Sequence, residues 1–425
     1  MTLAGINPID AARATAEAVA RRSYGKLVAF LAARSRDVAA AEDALADAFA
    51  IALADWPRTG CPTNPEAWLL TVSRRKLIDR ARQQDIALAA AAELQRMADT
   101  LDAAPDDATI PDHRLALMFA CAHPAIDAGV RAPLMLQAVL GLDARRIAAA
   151  FLMSPAAIGK RLGRAKEKIR QAAIPFRVPA RDELYGRLET VLDAVYAAFG
   201  HGWADPAGID ATRRNLADET IFLARLLVTL MPNEAECAGL LACLLHAHAR
   251  RAARRDANGD YVPLTEQDTS AWDASMIEEA EAALRRASAM HQIGRYQLEA
   301  ALQSAQVERR RSGKDVSRAL VQLHDALAKR LDSPVAAVNR ALAIADLSGA
   351  AAALEAMPDP ATDSRLVGYQ PYWAALADLL ARNGADADAH AAYDMAIALE
   401  SDDAVRRFLR RRQGLLGSVV VRSEM

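Results

Sequence analysis

Apolar residues recur three and four positions apart along most of the chain, which is the spacing of one face of an α-helix. Ala and Leu dominate the 52% of residues that are hydrophobic, and long runs of β-branched and aromatic residues are few. The pattern therefore predicts an all-α protein. Segments rich in Pro, Gly and Asp interrupt it and are expected to be loops: 56–65, 99–112, 200–215, 256–273, 331–335 and 357–371.

The strongest local pattern, at residues 134–170, predicts two short helices joined by a tight turn. Asp143 can cap the first helix, and Ser154 followed by Pro155 marks the start of the second. One narrow apolar stripe follows the second helix, formed by Ile158, Leu162, Ala165 and Ile169. With basic residues on its other faces, this segment predicts a helix-turn-helix.

Basic and small side chains of this second helix are the candidate DNA contacts. Cations displace counterions from phosphates, and the first residues of a recognition helix reach base edges. An amphipathic helix with a solvated basic face is the alternative interpretation. The residues expected to contact DNA are Ser154, Ala156, Ala157, Lys160, Arg161, Arg164, Lys166 and Lys168.

Residues 37–82 predict an earlier module of two helices joined by a loop. The first helix is expected to end near Trp56, and Asn64 with Pro65 opens the second. Trp56 and Trp68 bracket the loop, where they could stack on a flipped base. Packing in the core is the favoured interpretation.

Charge is distributed in blocks that the net charge of −2 conceals. Residues 56–82 and 143–170 are basic, whereas residues 85–112 are acidic. A neutral total by itself argues against nonspecific coating of nucleic acid, but it is compatible with two basic modules and an acidic linker.

The C-terminal half contains a weak repeat, in which Gly313, Gly349 and Gly384 lie 36 and 35 residues apart. Helical pairs of similar length are the simpler interpretation. The last unit fits a tetratricopeptide unit, with Trp373, Leu376, Gly384, Ala389, Tyr393 and Ala396 at the expected offsets.

The composition gives little sign of catalysis, export or membrane insertion. The four cysteines form no CxxC pair, the first residues lack the pattern of a signal peptide, and no stretch of about 18 apolar residues occurs. We therefore expect a cytoplasmic protein with reduced thiols and no membrane partner.

Motifs for nucleotide binding, metalloprotease or serine hydrolase chemistry are absent from the sequence, so we expect neither catalytic residues nor a cofactor. Cys243 and His246 lie one turn apart on a helix, near Cys237, His248 and Asp256. Packed Cys and His side chains are favoured over a metal site there, because no second ligand pair follows at finger-like spacing.

The motifs, in this order, resemble an extracytoplasmic-function (ECF) sigma factor. AEDALADAFAIAL resembles the polymerase-binding helix of region 2, and NPEAWLLTVSRRKLIDRAR resembles the helix that recognises the −10 element. Residues 134–170 resemble region 4, which recognises the −35 element. Later segments, including IPFRVP and SPVAAVNRALAIA, resemble the group with a long tetratricopeptide-like C-terminal extension. The resemblance covers nearly the whole chain.

The resemblance implies a non-enzymatic RNA polymerase subunit that binds core RNA polymerase and promoter DNA. It also points to a small YCII-related protein, or another regulator, as a partner of the extension. It implies five segments: region 2 (1–90), an acidic linker (91–112), region 4 (113–176), a helical extension (177–300) and tetratricopeptide-like repeats (301–425).

The resemblance also assigns residues in region 2. Those expected to contact polymerase are Glu42, Asp43, Leu45, Asp47 and Phe49. Those expected to contact the −10 element are Arg58, Asn64, Arg74, Arg75, Lys76, Arg80 and Arg82.

Two other functions stay open on the sequence. A stand-alone helix-turn-helix regulator with a ligand-sensing helical stack would bind duplex DNA without polymerase. The second is a tetratricopeptide scaffold whose basic helices only keep its surface in contact with water, and the function of such a scaffold would not depend on DNA.

Overall fold

The computed structural model describes residues 7–83, 112–151, 153–203 and 211–416. Within these ranges the regular elements are helices, and the sole β feature is an isolated bridge between Arg255 and Tyr261. The predicted all-α class is therefore confirmed. The chain divides into two compact units, Met1–Gly202 with Ala211–Thr220 and Trp203–Asp210 with Ile221–Met425.

None of the described helices has both the length and the apolar character needed to cross a membrane.

The first unit contains two groups of helices. We call α1 to α3 the N-module and α4 to α7 the second module, and α8 follows them. Their bounds are α1 (Pro8–Ser35), α2 (Val38–Thr59), α3 (Pro65–Gln83), α4 (Arg114–Cys121), α5 (Ala128–Leu140), α6 (Ala144–Ala150), α7 (Pro155–Gln171) and α8 (Arg181–Trp203).

Side-chain caps fix the helix starts that the sequence predicted. The Asn64 side chain accepts a hydrogen bond from the Ala67 amide at 3.1 Å, and Asp143 accepts one from the Arg146 amide at 2.8 Å. Each of these bonds satisfies an amide that has no partner within its own helix.

The loop predicted at 56–65 is shorter in the structure, because α2 continues past Trp56 to Thr59. The indole of Trp56 is buried and meets Trp68 edge-to-face, with 5.4 Å between ring centroids. This contact holds the last turn of α2 against α3, and it confirms Trp56 as a core residue.

The helices after α8 begin with α9 (Ala211–Leu230), whose first ten residues belong to the first unit and whose remainder belongs to the second. The others are α10 (Ala235–Ala249), α11 (Ala274–Ala289), α12 (Arg295–Ser312), α13 (Ser317–Ala328), α14 (Pro334–Ser348), α15 (Ala350–Ala356), α16 (Gln370–Arg382), α17 (Asp386–Leu399) and α18 (Asp403–Gly414). Four short 3₁₀ turns lie at Ala252–Arg254, Leu264–Glu266, Thr269–Ala271 and Ser364–Leu366.

The spaced glycines of the C-terminal half lie at helix ends. Gly313, Gly349 and Gly384 have φ values of 72°, 91° and 75°, a backbone conformation that side chains with a Cβ disfavour. Between α16 and α17, Tyr393 and Ala396 pack in one cluster with Ala377. The repeat therefore marks successive helix pairs.

The second unit also contains a closure that the sequence did not indicate. A loop at 255–261 packs against α18, where Tyr261 meets Phe408 edge-to-face at 5.3 Å. Asp260 of the loop accepts hydrogen bonds from Arg407 and Arg411 at 2.7 and 3.0 Å. Arg255 forms an ion pair with Asp402, and both side chains are largely buried. These contacts join the loop after α10 to the last described helix.

Candidate functional surfaces of the first unit

Helices α6 and α7 are joined by a tight turn, in which the Met153 amide donates to the carbonyl of Ala148 at 2.9 Å. Ser154 caps α7 by accepting a hydrogen bond from the Ala157 amide at 3.2 Å. The stripe Ile158, Leu162, Ala165 and Ile169 is buried, as its spacing predicted. Burying this stripe fixes which side chains of α7 face outward.

The outward face of α7 presents a basic cleft of about 640 Å³. Arg161, Arg164 and Lys168 line one side of it, and Asp127 and Val130 at the start of α5 line the other. Lys160 is exposed closer to the start of α7, with Ser154 and Ala156, and Ala157 is half-buried. The arrangement can hold the phosphates of a duplex while the start of α7 faces base edges.

Lys166 lies apart from this outward face. Its ammonium group forms an ion pair with the carboxylate of Glu42 on α2, and only 11% and 12% of the two side chains are exposed. Burial raises the pKa of Glu42, while the charge and hydrogen bond of Lys166 act in the opposite direction. The predicted contacts of Lys166 with DNA and of Glu42 with polymerase are therefore replaced, in this structure, by a contact with each other.

The other residues assigned to polymerase on α2 divide between its surface and its core. Asp43 and Asp47 are exposed and Phe49 is half-buried. Leu45 is 0% exposed, because it shares the buried stripe of α2 with Ala41 and Ala48. Its assignment as a polymerase contact is wrong for this structure, where Leu45 is a core residue.

The residues assigned to the −10 element also divide. Arg75 and Lys76 are exposed on α3, and Arg80 forms an exposed ion pair with Asp43 at 2.9 Å. Arg58, at the end of α2, forms an exposed ion pair with Asp55 at 3.2 Å. Arg82 belongs to α3, but its side chain lies outside the described residues.

Arg74 is the exception among these basic residues, since only 4% of it is exposed. Its guanidinium lies over the ring of Phe30 on α1, 4.9 Å from the ring centroid, and the guanidinium of Arg34 lies over the same ring at 3.6 Å. The assignment of Arg74 to DNA is therefore corrected: it packs the N-module. Asn64 is the cap of α3, and this role occupies its side chain oxygen.

The N-module and the second module pack together through α1, which the sequence did not predict. A Cβ placed on Gly25 of α1 would lie 1.8 Å from the carbonyl oxygen of Val139 on α5, so only glycine permits this approach. The Tyr24 ring also packs over Gly141, where a Cβ would lie 2.7 Å from the ring. Single glycines carry no hydrophobic signal, so no periodicity could reveal this interface.

The Cys and His residues of α10 are packed inside the second unit. Cys237, Cys243 and His246 are buried, and His246 Nε2 lies 3.3 Å from a carboxylate oxygen of Glu281. Burial lowers the pKa of His246 to about 4. Among the described residues, no three His, Cys, Asp or Glu side chains come together as a metal site would require. Asp256 instead accepts hydrogen bonds from the Asn258 and Asp260 amides within its own turn.

Comparisons with known proteins match two parts of the chain to family models. Residues 19–86 match sigma-70 region 2, and residues 187–288 match a family of unknown function, DUF6596. No solved structure matches the chain.

A curated relative matches this chain over most of the length of both proteins. This uncharacterized protein of Rhizobium meliloti (strain 1021) is 37% identical over 384 residues, which are 88% of this chain and 89% of the relative. The match to region 2 spans α1, α2 and α3, the helices that carry the exposed Asp43, Asp47, Arg75 and Lys76. Sigma-70 proteins bind core RNA polymerase and promoter DNA and act in transcription initiation, not as enzymes. The chain thus belongs to the same family as the Rhizobium meliloti protein and, through its region 2, is an RNA polymerase sigma factor of the sigma-70 family.

Proposed function

We propose that this sigma factor is of the ECF type. In this proposal the N-module binds core polymerase and the −10 element, and the second module is a helix-turn-helix that recognises the −35 element. The helices from α8 onward form a regulatory extension with tetratricopeptide-like pairs near its end. A cytoplasmic site of action follows from this role.

The observation that carries the proposal is the basic cleft of α7 in the same compact unit as region 2. Arg161, Arg164 and Lys168 are exposed on the face of α7 that adjoins its buried stripe. A solvated surface helix needs no such cleft, whereas a helix placed in the major groove presents cations to the flanking phosphates. We assign these three residues to phosphates, and Lys160 with Ala156 to base edges.

The proposed extension has support of a different kind. The pair α16 and α17 buries small residues at Ala389 and Ala396, next to Tyr393, as a tetratricopeptide pair does. A small YCII-related protein stays a predicted partner of this extension, on the resemblance alone.

Run-off transcription with purified core polymerase tests the proposal. The full chain should give a promoter-specific transcript from a promoter near its own gene, and core polymerase alone should give none. If no transcript forms while the chain alone binds duplex DNA tightly and sequence-specifically, the stand-alone regulator replaces the sigma factor as its function.

The basic cleft is tested by the salt dependence of promoter binding. We expect Arg161→Ala and Arg164→Ala each to lower the slope of log affinity against log salt by about one. Arg170→Ala is the matched control, because Arg170 lies on the same helix but bonds Glu167 at 2.6 Å. If the slopes of Arg161→Ala and Arg164→Ala equalled that of the parent chain, as expected for Arg170→Ala, Arg161 and Arg164 would lie away from DNA.

A further inference from the structure

We propose that the second unit contains a binding site for a small oxyanion, the phosphate or carboxylate group of a metabolite, held by the guanidinium groups of Arg250 and Arg254. The site lies immediately after the last turn of α10, in the part of the chain that matches the family of unknown function. The inference goes beyond the sigma factor function and does not depend on it, because it concerns contacts within the second unit alone.

Arg250 is a buried cation with neutral partners. Only 8% of the residue is exposed, its Nε donates to the carbonyl of His246 at 3.0 Å, and its Nη2 donates to the side-chain oxygen of Gln303. Within the described ranges no carboxylate forms an ion pair with Arg250. Burial, and to a smaller extent the charge of Arg254, lowers the pKa of Arg250 to about 10. Because a buried charge is costly unless an opposite charge compensates it, Arg250 requires an anion.

The neighbouring carboxylates already have partners. Glu281, on the face of α11 that meets α10, lies 3.3 Å from His246 Nε2. Asp402 acts on Arg254 through its charge, but it forms the buried ion pair with Arg255. Positive charge therefore exceeds negative charge among the described residues around this end of α10.

Arg254 follows one turn later and adds a second cation at the same place. Its Nη1 donates to the carbonyl of Trp203 at 3.2 Å, and its guanidinium lies over the Trp203 ring, 4.5 Å from the centroid. Both of these partners are neutral. Burial, and to a smaller extent the charges of neighbouring arginines, lowers the pKa of Arg254. Two guanidinium groups this close in the chain repel each other unless an anion compensates them.

The indole of Trp272 supplies a third donor to the proposed site. The guanidinium of Arg250 lies 6.0 Å from the centroid of its ring, and only 5% of Trp272 is exposed. Its Nε1–H finds no acceptor among the described residues. A buried N–H without an acceptor is rare in folded proteins, and an anion bound beside Arg250 would accept from it. The two arginines and this indole thus form a set of donors suited to one oxyanion.

This donor set also indicates the chemical class of the ligand. Planar guanidinium groups bind phosphate and carboxylate oxygens through paired hydrogen bonds, and the indole N–H adds a further bond to an oxygen. Because so little of Arg250 is exposed, the phosphates of a nucleic acid duplex cannot reach it. The ligand is therefore a small molecule with a terminal phosphate or carboxylate group.

Isothermal titration calorimetry of the full chain without polymerase tests the site. Inorganic phosphate and succinate are the two probes, and their titrations distinguish a phosphate ligand from a carboxylate ligand. Sodium chloride at equal ionic strength is the reference. We expect saturable binding of at least one of the two probes, and none of chloride.

Substitution of the arginines locates the binding. We expect Arg250→Met and Arg254→Met each to weaken it about tenfold or more, because each removes a charged donor of similar length. Arg309→Met is the matched control, since Arg309 belongs to the same unit but its guanidinium pairs with Asp346 at 2.6 Å. This control should bind the probe as the parent chain does.

Thermal unfolding separates a ligand-binding arginine from one that only holds helices together. The probe that binds should raise the melting temperature of the parent chain and not that of Arg250→Met, because only a folded chain with the site gains binding free energy. The two chains should therefore differ more with the probe than without it. If Arg250 were only structural, the difference would be the same in both buffers.

Three results would overturn the proposal. The first is that neither phosphate nor succinate binds the parent chain, which would leave water as the partner of these donors. The second is that Arg309→Met weakens binding as much as Arg250→Met does, as a general response to positive charge would. The third is a difference in melting temperature that the probe does not change. If circular dichroism shows that Arg250→Met does not fold, the half-buried Arg254→Met provides the same comparison.

Discussion

Two regions of this protein use a largely buried ion pair to join segments that are far apart in the sequence. In the first unit Lys166 bonds Glu42 across 124 positions, and in the second unit Arg255 bonds Asp402 across 147 positions. The chemistry is the same, since each pair joins a carboxylate to a cation with less than a fifth of either side chain exposed.

The difference lies in what surrounds each pair. Around Arg255 and Asp402, further contacts of Asp260 with Arg407 and Arg411 and an aromatic pair join the same two segments. The pair in the first unit is accompanied by close backbone packing at Gly25, between modules that we propose to act on separate promoter elements. The ion pair of the second unit is therefore one of several side-chain contacts between the same two segments, whereas the ion pair of the first unit is accompanied by backbone packing at a glycine.

The largest expected effect comes from adding a methyl group at a helix crossing. A Cβ on Gly239 of α10 would lie 2.6 Å from the Gln297 amide nitrogen of α12, and the backbone there cannot move without disturbing the core. We expect Gly239→Ala to lower the unfolding free energy of the second unit by about 3 kcal/mol. Gly25→Ala, with a similar clash, should instead separate two modules that stay helical.

Hydrogen exchange of α10 and α12 measures the first effect, and hydrogen exchange of α1 and α5, with circular dichroism to follow the helical content, measures the second. Gly163→Ala is the control for both, since its Cβ meets open space. If Gly25→Ala removed the helical content of α1 as well as its contact with α5, the contrast between the two units would be lost.

A smaller effect is expected at the closure of the second unit. Asp402→Asn removes the charge that pairs with Arg255 but can still cap α18, where Asp402 accepts from the Ala404 amide at 2.9 Å. We expect the free energy of opening of α18 to fall by about 2 kcal/mol, which would be measured as faster hydrogen exchange in that helix. Asp403→Asn, which affects a more exposed pair with Arg406, should change little. Equal exchange in the two variants would mean that the aromatic contact and the hydrogen bonds of Asp260 hold α18 without the pair of Arg255 and Asp402.

The smallest effect is expected at Asp43, one residue from Glu42. Asp43 pairs with Arg80 at 2.9 Å, but 60% and 45% of these side chains are exposed. Because water screens this pair, Asp43→Asn should lower the free energy of opening of α2 and α3 by less than about 0.5 kcal/mol. Hydrogen exchange measures this free energy. A decrease above about 1 kcal/mol would show that the exposed ion pair of Asp43 stabilises the helices as much as a buried pair such as that of Glu42.

The sequence predicted local features well, because they depend on residues close together in the chain. The caps at Asn64, Asp143 and Ser154 and the buried stripe of α7 follow from side chains within one or two turns. The order of the motifs in the sequence was enough to predict sigma-70 region 2. Predictions failed where the same residue type had two environments: Arg74 and Arg75 look alike in the sequence, yet only Arg75 is exposed.

The sequence by itself determined the helices, their caps, the basic character of α7 and the sigma-70 region 2, since periodicity and capping are local properties. Only the tertiary structure decided that Lys166 faces Glu42, that Gly25 admits the backbone of α5, and that the loop at 255–261 binds α18. These contacts join residues more than 100 positions apart, and charge or size at one position carries no information about which distant partner the fold brings to it. The partner of a charged side chain is a property of the packed molecule.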